Sequence, residues 1–106
     1  MHMVIRTFPH LHSVHDAAQR AATGLMAILS KEPGFIGYSI FDAGDGVAGS
    51  VTFFKDRDSA LAANALARSW ISQSLLDMFQ GEPEILVGEI LYSGGIIPAS
   101  EPSKSH

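Results

Sequence analysis

At 106 residues and a formal net charge of -4, the chain is the size of one domain with a two-layer core, and its cations are too few and too scattered to bind nucleic-acid phosphates. The absence of cysteine excludes a disulfide framework, an iron–sulfur cluster and a thiol nucleophile. Hydrophobic residues make up 46% of the chain, more than so small an interior hides, so some apolar surface is expected to meet a partner subunit. Neither a basic-then-apolar leader nor an apolar run of membrane length is present, which points to a cytoplasmic protein without a membrane partner.

Residues 3–8 alternate Met3, Ile5 and Thr7 against Val4, Arg6 and Phe8, and Pro9 then withholds a backbone donor, so the first element reads as a strand that ends there. Ser13 with Asp16 three residues on resembles a capping box. Val14, Ala17, Ala18, Ala21, Ala22, Leu25, Ile28 and Leu29 recur at helical spacing and predict a first helix over 14–29. Pro33-Gly34 stops it, and Phe35, Gly37, Ser39 and Phe41 then alternate with Ile36, Tyr38 and Ile40 as a second strand. Asp42-Ala43-Gly44-Asp45-Gly46 offers glycines for positive φ and aspartates that can bond back to the turn, so residues 47–55 should return antiparallel. Asp56, Asp58 and Ser59 supply an N-cap and negative charge at the positive end of a helix dipole; the second helix is predicted to start here and last to about residue 79. Gly81-Glu82-Pro83 breaks it, residues 85–92 form a last strand with Glu89 as its one charged interior position, and Gly94-Gly95 opens a mobile tail. A domain over residues 1–93 followed by a flexible tail over 94–106 is the expected organisation.

The order β-α-β-β-α-β is the ferredoxin-like split βαβ arrangement, an α+β fold in which one four-stranded antiparallel sheet carries both helices on one face. Its other face is left bare, with apolar side chains on nearly every strand. A second copy of the chain is the simplest cover, so a homodimer with its sheets face to face is expected.

Winding the second helix at 100° per residue groups Ala60, Asn64, Ala67, Ile71, Leu75 and Met78 on one face, with Leu61, Arg68 and Phe79 at its edge. Asn64 and Arg68 then look toward the sheet, where an amide and a guanidinium must be hydrogen-bonded or wet. Three readings stand: a structural ion pair from Arg68 to Glu89 or Asp42 with Asn64 tying down a loop, a pair facing a ligand, or a helix phase that leaves both in solvent. Trp70 falls roughly opposite, near Leu66, Gln73 and Asp77, which sends it toward solvent, a partner or the tail. Tyr38 is either a core aromatic or a pocket hydroxyl within reach of Arg68 or Asn64. His10, His12 and His15 crowd six residues, but Pro9 disrupts the strand and no further ligand completes a standard metal set, so a hydrated loop comes before acid–base work or metal binding, and no metal is predicted. No serine lies in a nucleophile elbow, and the glycines at 44 and 46 precede a strand rather than a helix, so they make no phosphate cradle.

Taken with the element order, the PGFIGY opening of the second strand and the run SVTFFKDRDSALAANALARSW resemble the antibiotic-biosynthesis monooxygenase-like proteins of the dimeric α+β barrel superfamily. The resemblance extends as a layout over most of residues 3–92, and its specific part is 33–70. It implies a homodimer, a pocket between helices and sheet, and in some members cofactor-independent oxygenation of phenolic or anthrone-type substrates. Haem-degrading relatives use an Asn on the first strand and a His on the second long helix; this sequence has neither there. In the oxygenase branch, pocket groups bind the substrate's oxygens and stabilise a developing phenolate or carbanion. The candidates are Asn64 and Arg68 as catalytic residues and Tyr38 as a substrate-binding one, with no cofactor and a small hydrophobic, aromatic or quinol-like ligand. The alternative is a non-catalytic small-ligand-binding or dimeric assembly module.

Overall fold

In the computed structural model, which describes residues 1–95, β1 (His2–Phe8) runs through the interior of a four-stranded sheet in which every neighbouring pair is antiparallel. The order is β2 (Phe35–Gly44), β3 (Val47–Phe54), β1, β4 (Glu84–Glu89), the α+β ferredoxin-like topology implied by the element order. Much of the expected tail, residues 96–106, lies outside the described residues. Among those described, no helix is long and apolar enough to cross a membrane.

The hairpin joins β2 to β3 as its composition dictates: Gly44, Asp45 and Gly46 all take positive φ, and Asp42 Oδ1 accepts the Gly44 N–H at 2.9 Å. Pairing then sets the two faces of the sheet. Val4, Phe8, Ala48, Thr52 and Phe54 turn toward the helices and are buried, whereas Ile5, Val51, Phe53 and Phe41 belong to the opposite face and stay half-exposed. Gly49 on that outer face is obligatory, because a Cβ there would lie 2.5 Å from the Arg6 carbonyl oxygen and 2.7 Å from the Phe41 ring.

The first helical run starts at Ser13, whose hydroxyl accepts the Asp16 N–H at 3.3 Å. It is not uniform. An α-helical stretch α1 (Val14–Arg20) widens into a π-helical turn (Ala21–Leu25) and recovers as α2 (Met26–Leu29). The second helix, α3 (Arg57–Ser74), is capped by Asp56, whose Oδ1 accepts the Ser59 N–H at 2.8 Å. It ends earlier than its periodicity suggests: a 3-10 turn (Leu76–Met78) tucks Met78 and Phe79 into the core, with the Phe79 ring 5.0 Å from Phe8. The last strand is likewise shorter than predicted, ending at Glu89.

Alanines at 60, 63 and 67 let α3 lie close on the sheet, above Val4 and Phe54. The loop after β1 is clamped from both sides, the Leu11 N–H on Gly46 O at 2.9 Å and the His12 N–H on Met78 O at 3.0 Å. That clamp ties the loop after β1 to the β2–β3 hairpin on one side and to the turn after α3 on the other.

Candidate functional site

Alternation along β1 places Arg6 between Val4 and Phe8 on the helix-facing side, where it is buried to 3% exposure. A guanidinium keeps its charge, so it must find acceptors or water there. Its Nη2 donates to Asn64 Oδ1 on α3, while among the described residues its Nε meets no acceptor. Because a guanidinium offers only donors, this contact fixes the amide: the Asn64 oxygen faces Arg6, and the NH2 group is turned away from it.

Arg68 lies one turn beyond Asn64 on α3 and is itself exposed. With Arg6 it lines a cavity of about 290 Å³ whose apolar walls include Ile71, Phe79, Pro83 and Ile85. Burial, and then the neighbouring Arg68 charge, lower the Arg6 pKa from its ordinary value to about 10. The two guanidiniums therefore repel across the same space. Among the described residues neither has a carboxylate within ion-pair distance; the one ion pair there joins exposed Arg20 and Asp77 at 3.1 Å. Glu82 also lines the cavity but is exposed and pairs with neither arginine.

Of the three readings for Asn64 and Arg68, the ion pair to Glu89 or Asp42 does not form among the described residues. Glu89 stands exposed at the end of β4, opposite His2, and Asp42 is engaged by its own turn. Asn64 ties down a strand arginine rather than a loop. The helix phase is turned slightly from the predicted one: Ala63 is buried, and Asn64 takes the half-buried flank beside it.

Tyr38 stands apart from the cavity. It pairs with Thr52 on β2, an edge strand two places from β1, and its ring leans toward Phe35 with centroids 6.5 Å apart. Most of the tail, one of the expected covers of Trp70, lies outside the described residues; Trp70 is half-buried against Gly24, where a Cβ would lie 2.7 Å from its indole ring. The π-helical turn provides the slot for it. His10, His12 and His15 are all exposed, and no group of three or more potential metal ligands gathers among the described residues.

Arg6 is the residue that helix phasing alone does not find. Its signal lay in the β1 alternation, which puts a cation between two core positions; a buried strand arginine needs a reason.

No protein-family model matches the chain, and no curated protein does. Solved structures share its fold, among them proteins described as antibiotic biosynthesis monooxygenases. An asparagine-to-alanine variant of SnoaB, a cofactor-independent oxygenase from Streptomyces nogalater, superposes with a TM-score of 0.69 at 14% identity over 87% of this chain and 94% of that one. The monooxygenase from the gene ActVA-Orf6 of Streptomyces coelicolor, in complex with nanaomycin D, gives 0.67 at 18% identity over 92% of each chain. A structure described as an antibiotic biosynthesis monooxygenase gives 0.66 at 14% identity over 87% of this chain and all of the other. At these identities it is the fold that is shared.

Proposed function

We propose that this protein is a monooxygenase working without a cofactor on a small aromatic or quinol-like metabolite, in the cavity between α3 and the sheet. The observation that carries the reading is the cavity itself: apolar walls to hold a ring, with Arg6 and Arg68 lining it and the Asn64 amide held beside them. SnoaB, described as a cofactor-independent oxygenase, has the same fold. In such a reaction the substrate supplies the electrons. A ring CH2 becomes C=O with one atom of O2, and the other atom leaves as water. The step is made easier by donors that stabilise the substrate's phenolate or carbanion before oxygen is reduced. Arg68 and the Asn64 NH2 group take that role, and Tyr38 is left out because it stands on the edge strand β2, two strands away from Arg6 and outside the cavity lining.

We propose further that the outer sheet face pairs with a second copy. Ile5, Val51 and Phe53 form an apolar surface there, flanked by Leu86 at 58% exposure. Sedimentation at micromolar concentration should give twice the chain mass.

The activity test is oxygen uptake by the purified protein with an anthrone or hydroquinone and no added flavin, metal or haem. Turnover is expected, falling about 100-fold or more in Asn64→Ala or Arg68→Ala, the scale of losing one oxyanion donor. A ligand that raises the melting temperature but is recovered unaltered, with no oxygen consumed, would replace this reading with that of a binding module.

A further inference from the structure

The charge in this cavity is unbalanced. Arg6 is almost wholly buried, its Nε has no acceptor among the described residues, and its one side-chain partner, Asn64, is neutral. Arg68 adds a second cation to the same space, and Glu82, the one carboxylate in the lining among the described residues, pairs with neither. A fold that needed only to fill this position would place an aliphatic residue between Val4 and Phe8, because an unpaired buried charge opposes folding. Two guanidiniums beside an apolar wall instead complement a ligand with an anionic end and a hydrophobic body. A neutral quinol would fill the wall and leave both charges uncompensated. A bare phosphate would meet the charges and leave Ile71, Phe79 and Ile85 wet.

We infer that the cavity recognises an organic acid, an aromatic ring system bearing a carboxylate, with the carboxylate between Arg6 and Arg68 and the rings against Ile71, Phe79 and Ile85. The planar guanidinium fork matches a carboxylate's two oxygens. The volume, about 290 Å³, lies at the lower end of the roughly 300–1,000 Å³ typical of small-molecule sites and suits two or three fused rings. This deepens the oxygenase reading by giving its substrate a charge, and it rests on that reading only for the step from ligand to substrate.

The experiment is calorimetric titration of the full chain with 2-naphthoate, with its neutral isostere 2-naphthamide, and with inorganic phosphate. Naphthoate should bind at least about tenfold more tightly than either, the scale of one charge-assisted hydrogen-bond pair. Arg68→Gln, at an exposed position, should weaken naphthoate about tenfold and leave naphthamide unchanged. Arg6→Met should abolish the preference for the acid, with circular dichroism confirming that the variant is folded. Equal binding of acid and amide, no binding of naphthoate, or an unchanged naphthoate affinity in Arg68→Gln would each overturn the inference. Displacement of naphthoate by equimolar phosphate would also overturn it, leaving a simple anion site. Naphthoate is not turned over, so failure here would leave the oxygen-uptake test of anthrones and hydroquinones untouched.

Discussion

The two helices meet the sheet in opposite ways. Under α1 and α2 the interface is nearly closed: Phe8, Leu25, Met26 and Ile40 surround a gap of about 30 Å³ with almost no polar lining. Under the second half of α3 the gap is about 290 Å³ and carries two guanidiniums. One sheet supports both, so the difference lies in what the helices bring. The first run brings Leu25, Met26 and Leu29 down onto the sheet and widens at Gly24 to admit Trp70. The second brings alanines that come close at its start, and then Asn64 and Arg68, which leave the sheet partly uncovered beyond them. Tight packing specifies a fold and leaves little room for a substrate; the loosely covered side has space and charge but adds less to stability.

That contrast is open to experiment, beginning with the closely packed part of the core, which includes the sheet beneath the alanines at the start of α3. Phe54 has no exposed surface and meets Phe35 edge-on at 5.9 Å between centroids. Phe54→Ala should lower stability by about 3–5 kcal/mol, read from urea denaturation. A loss below about 1 kcal/mol would mean that this side is as loose as the other.

The next effect tests the slot for Trp70. In Gly24→Ala the new methyl would sit 2.7 Å from the indole, an overpacking worth about 1–3 kcal/mol against a helix-propensity gain of about 1. A net loss is expected, relieved when Trp70→Phe is added. A more stable Gly24→Ala single variant would show that the indole moves freely and that the π-helical turn is not shaped around it.

The open side should respond with the opposite sign. Arg6→Met removes a buried charge with no carboxylate partner among the described residues, and stability should rise by about 1 kcal/mol, or about 4–8 °C in melting temperature for a domain of this size. A clear fall would mean that the bond to Asn64 holds α3 onto the sheet and that Arg6 is structural.

The same contrast separates what could be read in the sequence from what could not. Strand alternation, the two N-caps at Ser13 and Asp56 and the Gly44–Gly46 turn are local signals, each decided within a few residues, and the topology follows from them. The site depends on a contact between residues 58 apart, Arg6 and Asn64, and a helix phased in isolation cannot know which strand side chain it will meet. Phasing puts Asn64 and Arg68 toward the sheet but cannot name what they meet there: Glu89 and Asp42 suit Arg68 by charge, and the strand register sets Glu89 opposite His2 and leaves Asp42 in its own turn. The Trp70 slot is non-local in the same way: it exists because Gly24, on another helix, has no side chain.

The smallest expected effect concerns the far end of α3, where cap and cavity share one helix. The Asp56 carboxylate accepts the backbone N–H of Ser59 at 2.8 Å, and this bond, followed by one from the Ser59 side chain, holds its pKa below the ordinary 3.8. A carboxyl group whose pKa is lower in the folded state binds fewer protons there than in the unfolded chain. Its stabilisation is therefore complete above pH 3.8 and is lost as pH falls through the folded value. Asn caps a helix about as well as Asp but does not titrate. Asp56→Asn should therefore match the parent near neutrality and show a shallower loss of stability on acidification below about pH 4, followed by denaturant titration at stepped pH. If the acid limbs coincide, the cap carboxylate gains nothing from its charge, and the start of α3 is held by the alanines on the sheet. The packed side would then owe its stability to shape alone, and charge would act only at the cavity end of the helix.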